Sequence, residues 1–473
     1  MQERYERRRA DLSAHGQLHV LRYWSELDAG QRSALLDDLE QVDLERCAPL
    51  IDTMVRGRPA VHVPERIEPP PAYPAVPTPE LRSLYARADE LGREAIGAGR
   101  VAALTVAGGQ GTRLGYDGPK GMFPISPIRN ASLFQWFAEF LVGMRRRYGR
   151  SPRWYIMTSP ANDAATRAYF REKAYFGLPP EGVRFFVQRQ MPAFLPDGRI
   201  AMSARHRIAL SPDGHGGTLH ALAASGSLRE MAAEGIDTIS YFQVDNPLVC
   251  PVDARFIGLH LAHGSEMSSK AVTKASDFER VGIFAQLDGR LGVLEYSDLP
   301  ESLATARAPD GSRRFDAGSI AVHVLSRAFI ERVSGTSGGA LGWHRAEKKE
   351  RVLDDRGEVI TPDKPNVIKL EMFIFDAIPL ASRPMVLFTE RAEQFSPVKN
   401  AEGVDSPATS RRDLVRRAAR WLEECGAPVA RDPAGEPTFA LEISPLYAID
   451  RQELRERLST SPPLRLDAPL LLA

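Results

Sequence analysis

Val101-Ala102-Ala103-Leu104-Thr105-Val106-Ala107-Gly108-Gly109-Gln110-Gly111-Thr112-Arg113-Leu114-Gly115 is the stretch on which the fold turns. Its first six residues form a short apolar run, which predicts a buried strand. The run ends in glycines, and Gly118-Pro119-Lys120-Gly121 follows closely. Glycines let a backbone approach a ligand and aim successive N–H groups at phosphate oxygens. Arg113 and Lys120 add positive charge at fixed offsets. A P-loop would place Lys-Ser or Lys-Thr directly after its last glycine, whereas Tyr116 and Asp117 follow Gly115. The dinucleotide fingerprint needs a glycine three residues after Gly111, and Leu114 stands there. The loop therefore reads as a phosphate cradle of neither common kind.

Strand and helix patterns alternate outward from this loop. Ser132–Met144 reads as an apolar helix with Ser132 as its N-cap. Arg153–Met157 reads as a strand, Ala161–Phe176 as a helix and Gly182–Gln188 as a strand. Thr218–Ala233 reads as a helix, and Thr238–Val244 as a strand ending in Asp245 and Asn246. Such alternation predicts an α/β fold with a largely parallel, helix-covered sheet. Gly282–Tyr296 has the pattern of a hairpin turning at Asp288-Gly289. Residues 1 to about 57 carry Leu18, Val20, Leu21, Leu35, Leu36 and Leu39 at helical spacing, and Pro64–Glu80 is a proline-rich extended connector. A helix is expected near Asp413–Glu424. The expected division is residues 1–80, a helical region with its connector; 81–395, a central domain; and 396–473, a small C-terminal domain. No internal repeat is visible.

Lys plus Arg and Asp plus Glu both total 61, so no global charge favours nucleic acid or a membrane surface. A phosphate ligand must be held by local groups. Cys47, Cys250 and Cys425 are far apart and lack metal-ligand spacing, as expected of free thiols in a reducing compartment. No stretch has the ~18 consecutive apolar residues of a membrane span, and residues 1–10 lack an apolar signal core. A cytoplasmic protein is the expectation. The oligomeric state is left open.

Several strings in one order give the sequence a specific likeness. They are the glycine loop, Trp154-Tyr155-Ile156-Met157-Thr158-Ser159, Lys173-Ala174-Tyr175-Phe176-Gly177-Leu178, Pro212-Asp213-Gly214-His215-Gly216-Gly217, Val244-Asp245-Asn246, Leu294-Glu295-Tyr296-Ser297 and Phe395-Ser396-Pro397-Val398-Lys399-Asn400. With these the chain resembles the eukaryotic-type UDP-N-acetylhexosamine pyrophosphorylases, within the UDP-sugar pyrophosphorylase family. The resemblance implies a Rossmann-like nucleotidyltransferase domain, with a mixed, mainly parallel sheet and helices on both faces, between smaller N- and C-terminal domains. It also implies a reaction: a sugar 1-phosphate attacks the α-phosphorus of UTP, and pyrophosphate leaves.

Two anionic reactants must meet in that reaction, so charge neutralisation and alignment carry the catalysis. No Ser/His/Asp or Cys/His set stands out as a nucleophile. The resemblance implies Arg113, Lys120 and Lys399 as the catalytic cations, and Ala107, Gly108, Gly109, Gly111, Thr112, Gln188 and Gly214 as nucleotide-binding residues. Gln188 would read uracil, because an amide offers both a donor and an acceptor. Asp245, at the end of its strand, would share a Mg²⁺ ion (Mn²⁺ being the alternative) with the triphosphate. Glu295, Phe373, Phe375 and Lys369 would face the sugar phosphate. Phe373 and Phe375 stand two apart, so on a strand they would share a face.

Two departures from the family pattern bear on the sugar, in Pro212-Asp213-Gly214-His215-Gly216-Gly217 and in Asp316-Ala317-Gly318-Ser319, where the family has Asn-Ala-Gly-Asn. His215 replaces the asparagine of Pro-Asp-Gly-Asn-Gly-Gly, and Ser319 replaces the second asparagine of Asn-Ala-Gly-Asn. Both asparagines are associated with the sugar. His215 keeps a hydrogen-bonding nitrogen, but its direction depends on the tautomer and it is titratable. Ser319 is shorter. The expected product is UDP-N-acetylglucosamine. A UDP-glucose or broad UDP-sugar pyrophosphorylase and a non-catalytic nucleotide-sugar binding protein are the rival readings.

Overall fold

The computed structural model describes residues 1–58, 64–335, 340–460, 464, 466 and 468–473. The chain divides into two compact units. The first comprises Met1–Pro64, Gln188–Ala221 and Val333–Ala377; the second comprises Glu65–Val187, Leu222–Arg332 and Ile378–Ala473.

The second unit is built on an eleven-stranded sheet among the described residues. Its strands are β1 (Ile67–Glu68), β2 (Ala72–Tyr73), β3 (Val101–Val106), β4 (Arg153–Thr158), β5 (Val183–Val187), β6 (Thr238–Gln243), β7 (Met267–Thr273), β8 (Ile283–Leu287), β9 (Arg290–Leu294), β10 (Ala317–Ser326) and β11 (Met385–Phe388). Along the sheet the order is β2-β11-β7-β10-β6-β3-β4-β5, with β8 joined to β1, β9 and β10. The run β6-β3-β4-β5 is parallel. β10 is antiparallel to β6, β7 and β8, so the sheet is mixed.

The central strands are buried along almost their whole length, which is why they read as continuous apolar runs rather than alternating ones. Phe134, Phe137, Trp154, Phe170 and Phe242 form part of the core. Helices Arg82–Gly97 and Ala254–His263 cross so closely that a methyl on Gly92 would meet the Ala254 carbonyl at 1.8 Å. Only glycine permits that approach.

The expected strands appear with boundaries shifted by a residue or two. The hairpin turns at Asp288 and Gly289, with φ of 50° and 83°, as a two-residue turn with both central residues left-handed requires. Two expected helices are shorter. The Ala161–Phe176 segment is helical only over Asp163–Glu172, because Ala174, Tyr175 and Phe176 are left-handed, with φ of 46°, 51° and 53°. Thr218–Ala233 is two helices, Gly217–Ala224 and Ser227–Ala233, broken by Gly226 at φ 80°. The proline-rich connector is more than a spacer: β1 and β2 lie within it and extend the sheet through β8 and β11. After β11, helix Pro407–Glu424 packs with the Leu441–Ile443 and Leu470–Leu472 strands around Ala419, Leu422, Leu441 and Leu454.

The first unit gathers the N-terminal helices Gln2–Ala14, Ala29–Glu40 and Leu44–Leu50 with short antiparallel pairs. Its core holds Leu12, Val20, Leu35, Leu39, Phe194, Ile200 and Leu370. Buried polar groups fasten the helices to the Gln188–Ala221 segment. Asp38 holds both ends of the Arg207 guanidinium at 2.7 and 2.8 Å, and Gln17 bridges the Gly198 carbonyl and the Ile200 amide. No described helix is long and apolar enough to cross a membrane.

Candidate active site

Adjacent parallel strands end at the same edge of a sheet, and open α/β sheets take their ligands there. In the second unit β3 ends in the glycine loop and β6 ends in Asp245. The two strands pair in register, Val106 beside Gln243, and the Val244 amide donates to the Val106 carbonyl at 3.1 Å. Lys120, at the far end of the loop, consequently reaches Asp245, with Nζ 3.0 Å from Oδ2. Both side chains are largely buried.

The loop folds back on itself. The Gly111 amide donates to the Gly118 carbonyl at 2.8 Å, and the Lys120 amide to the Gly109 carbonyl at 3.1 Å. A methyl on Gly111 would strike Tyr116 at 2.8 Å, and one on Gly121 would enter the Phe134 ring at 2.2 Å, so neither position accepts a side chain without displacing an aromatic ring. Arg113 lies exposed on the short turn Thr112–Leu114.

The turn after β4 braces this loop, a role the sequence analysis did not assign. Asn162 Nδ2 donates to the carbonyls of Ala107 (2.9 Å) and Gly109 (3.2 Å), and the Ser159 hydroxyl donates to that of Gly108 (2.8 Å). Ser159 N–H in turn donates to Asn162 Oδ1 at 2.8 Å. In a trans peptide the N–H points opposite the preceding carbonyl. Holding the carbonyls of residues 107 to 109 on one side therefore turns the amides of Gly108, Gly109 and Gln110 to the other. The only sequence signal was the Ser-x-x-Asn spacing ahead of a helix, which by itself reads as a cap.

Lys399 reaches the same edge by a long connection. Asn246 Nδ2 donates to the Gln394 carbonyl at 2.7 Å, and its Oδ1 accepts from the Ser396 amide at 3.0 Å. The Val398 amide donates to the Asp245 carbonyl at 2.8 Å. Ser410, in helix Pro407–Glu424, holds the Ser396 carbonyl with its hydroxyl. A cleft of about 210 Å³ is lined by Asp245, Glu295, Ser319 and Lys399, together with Arg280 and Tyr296. Four residues expected from distant parts of the sequence thus share one cavity. Ser319 is placed there by its amide, which donates to the Gly282 carbonyl at 2.8 Å.

The first unit collects the remaining expected residues. Gln188 Nε2 donates to Asp213 Oδ1 (3.1 Å) and to the Gly214 carbonyl (2.7 Å). Gly214 has φ 84°, and a methyl there would meet the Met372 carbonyl at 2.3 Å, so the Asp213–Gly217 segment threads directly against backbone. Burial pushes the Asp213 carboxyl up to about 6, against the opposing pull of the Gln188 hydrogen bond, Arg189 and Arg46.

His215 Nδ1 accepts from the Ile374 amide at 3.1 Å, so the neutral ring carries its proton on Nε2. Burial, helped by the nearby His344, lowers its pKa to about 4, so it is neutral at pH 7. The ring stacks on Phe373 with centroids 5.3 Å apart. Phe373 and Phe375 do not lie on a strand: Val367–Glu371 ends first, because its partner strand begins at His344 opposite Glu371. Their rings still meet at 5.1 Å. His344, not singled out from sequence, lies 4.3 Å from Phe373 and hydrogen-bonds Asp376 at 2.7 Å. Lys369 is engaged by Glu350.

Known proteins match this chain along most of its length. The profile of the UTP–glucose-1-phosphate uridylyltransferase family covers residues 54–414. The human UDP-N-acetylhexosamine pyrophosphorylase-like protein 1 is 36% identical over 481 residues, spanning 94% of this chain and 93% of that protein. The Saccharomyces cerevisiae UDP-N-acetylglucosamine pyrophosphorylase is 36% identical over 435 residues, 88% and 90% of the two chains. The crystal structure of the Trypanosoma brucei UDP-N-acetylglucosamine pyrophosphorylase in complex with an inhibitor superimposes with a TM-score of 0.83 at 26% identity, covering 100% of this chain and 98% of that one. With profile, sequence and fold in agreement, this chain belongs to the UTP–glucose-1-phosphate uridylyltransferase family.

Proposed function

We propose that this chain transfers the uridylyl group of UTP to N-acetylglucosamine 1-phosphate, giving UDP-N-acetylglucosamine and pyrophosphate. The observation that carries the reading is the convergence of Lys120, Asp245 and Lys399 on the edge of the sheet where the glycine loop opens. The yeast relative, a UDP-N-acetylglucosamine pyrophosphorylase, supplies the sugar, and the human relative is named for the wider class of N-acetylhexosamines.

An oxygen of the sugar phosphate forms a bond to the α-phosphorus, and the bond from that phosphorus to the bridging oxygen of pyrophosphate breaks. The loop amides, Arg113, Lys120 and Lys399 supply positive charge where anionic oxygens gather. Lys120 exchanges its Asp245 partner for a phosphate when the nucleotide enters. Asp245 offers the hard oxygen that magnesium favours. Among the described residues no group of three or more His, Cys, Asp or Glu could hold a metal ion unaided. This donor set suits Mg²⁺ (or Mn²⁺), which commonly takes one or two carboxylates and completes its shell with phosphate oxygens and water. When bound, the ion supplies further charge neutralisation at the phosphates. Chelation with EDTA should abolish turnover, and added Mg²⁺ should restore it.

Glu295 and Ser319 in their cleft are the groups for sugar hydroxyls. Within the first unit by itself, His215 carries its proton on Nε2 and lies against the Phe373 and Phe375 rings, a donor beside an apolar surface that suits the chemistry of an acetamido group. A second reading, glucose 1-phosphate as the acceptor, is favoured by Ser319, which is shorter than the family's asparagine. Pyrophosphate release with UTP and Mg²⁺ across N-acetylglucosamine, N-acetylgalactosamine and glucose 1-phosphates decides between them. A kcat/KM for glucose 1-phosphate about tenfold above that for the N-acetyl sugar would sink the first reading.

A further inference from the structure

Gln188 is buried, and both hydrogens of its amide are committed, to the Asp213 carboxylate and the Gly214 carbonyl. Turning the amide over would set Oε1 against those two oxygens, three acceptors with no hydrogen among them. Asp213 cannot easily step aside. Only 1% of it is exposed. Its amide donates to the Arg189 carbonyl, its carbonyl accepts from the Met372 amide, and its Oδ1 packs onto Gly217, where an added methyl would approach to 2.0 Å. Burial raises the carboxyl to about 6, opposed by the Gln188 hydrogen bond, Arg189 and Arg46 (the last from helix Leu44–Leu50), so at neutral pH it is ionised and acceptor-only. What Gln188 has left to offer is the acceptor Oε1.

We propose that Asp213 is a positioning residue that holds Gln188 with Oε1 toward the base, so that the site takes a pyrimidine bearing N–H at N3 and rejects cytosine. The inference rests on the reading that Gln188 faces the base of the nucleotide. Uracil donates its N3–H to Oε1. Cytosine has a lone pair at N3, which would confront the oxygen. An amide free to turn would offer Nε2 instead, and cytosine N3 could accept from it. Asp213→Asn loosens that hold, because its own amide can donate to Gln188 Oε1 in the turned orientation and offset the Gly214 carbonyl that still faces it.

The test compares kcat/KM for UTP and CTP, with one sugar 1-phosphate, in the unaltered protein, Asp213→Asn and Gln188→Leu. In Asp213→Asn the CTP-to-UTP ratio should rise roughly tenfold or more, the scale of one mispaired buried hydrogen bond, while KM for the sugar phosphate changes less than about twofold. In Gln188→Leu the preference for UTP should collapse. An unchanged ratio in Asp213→Asn, whether or not UTP turnover falls, overturns the proposal, since a merely structural carboxylate would lower both substrates together. A Gln188→Leu enzyme that keeps its UTP kcat/KM and its preference overturns instead the reading of Gln188 on which the proposal stands. If Asp213→Asn does not fold, Gly217→Ala displaces the same carboxylate and is judged by the same ratio.

Discussion

The amide of Val398 donates to the carbonyl oxygen of Asp245 at 2.8 Å. This backbone bond ties a segment from late in the chain to the end of β6 and makes Lys399, the next residue, a neighbour of Asp245 in one cleft. The segment is gripped on its other side by Asn246 and from behind by Ser410. Lys399 is thereby fixed beside the end of β6.

Lys399→Ala should lower kcat by about 10²–10³-fold, the usual scale for removing one group aimed at developing charge. Stability should change by less than about 1 kcal/mol, because the side chain is only partly buried and its backbone anchors remain. Pyrophosphate release and a denaturant titration measure the two effects. Turnover close to that of the unaltered enzyme would remove Lys399 from the catalytic set.

Asn246→Ala should show both effects at once. The side chain is buried, and its loss leaves the Ser396 amide and the Gln394 carbonyl without their partner, costing about 2–4 kcal/mol. Since the released segment carries Lys399, kcat should fall as well. Loss of stability with an unchanged kcat would mean that Asn246 serves the fold alone.

Asn162→Ala should act on the nucleotide. Without Nδ2 the carbonyls of Ala107 and Gly109 lose their hold, and the loop amides lose their common direction. KM for UTP should rise about tenfold, with little change for the sugar phosphate. Asn162→Asp keeps Oδ1 but not the donors, so it should match the alanine variant; behaviour like the unaltered protein would count against the bracing role.

Acid should weaken the fold through buried imidazoles. Burial lowers His215 and His260 to about 4, against about 6.5 in an unfolded chain. Above pH 6.5 both are neutral in either state. As the pH falls toward 4 the unfolded chain takes up protons first, and stability drops by up to about 1.4 kcal/mol per pH unit for each ring. Asp213 works the other way: its folded pKa is raised, so its contribution is present below the ordinary aspartate range and is lost as pH rises through about 6. His260→Gln should therefore flatten the fall of stability between pH 6.5 and 4. Denaturant midpoints across that range measure it, and an unaltered slope would show that His260 is not among the titrating groups.

Much of the second unit was legible in sequence because its signals are local. β3, β4 and β6 are apolar runs bounded by glycine or polar residues, and Asp288-Gly289 states its turn by residue type. The helix breaks at Ala174–Phe176 and Gly226 were missed, since the left-handed residues sit inside an otherwise helical pattern. The connector strands were missed because two residues carry no period, and a strand of that length exists only through its partner.

The sequence alone established the alternating α/β plan, a glycine loop that is neither a P-loop nor a dinucleotide fingerprint, and the positively charged residue types within and beyond that loop. These follow from periods of two and 3.6 residues and from backbone angles that glycine alone adopts freely, which a few neighbouring residues decide. Only the tertiary structure decided that Lys120 pairs with Asp245, that Ser159 and Asn162 aim the loop amides, and that Asp213 leaves Gln188 a single acceptor. It also joined the N-terminal helices to the segments around Gln188 and Phe373 in one unit. The physical reason is that a hydrogen-bond partner far along the chain is chosen by which strand ends fall side by side, and no local pattern records that choice.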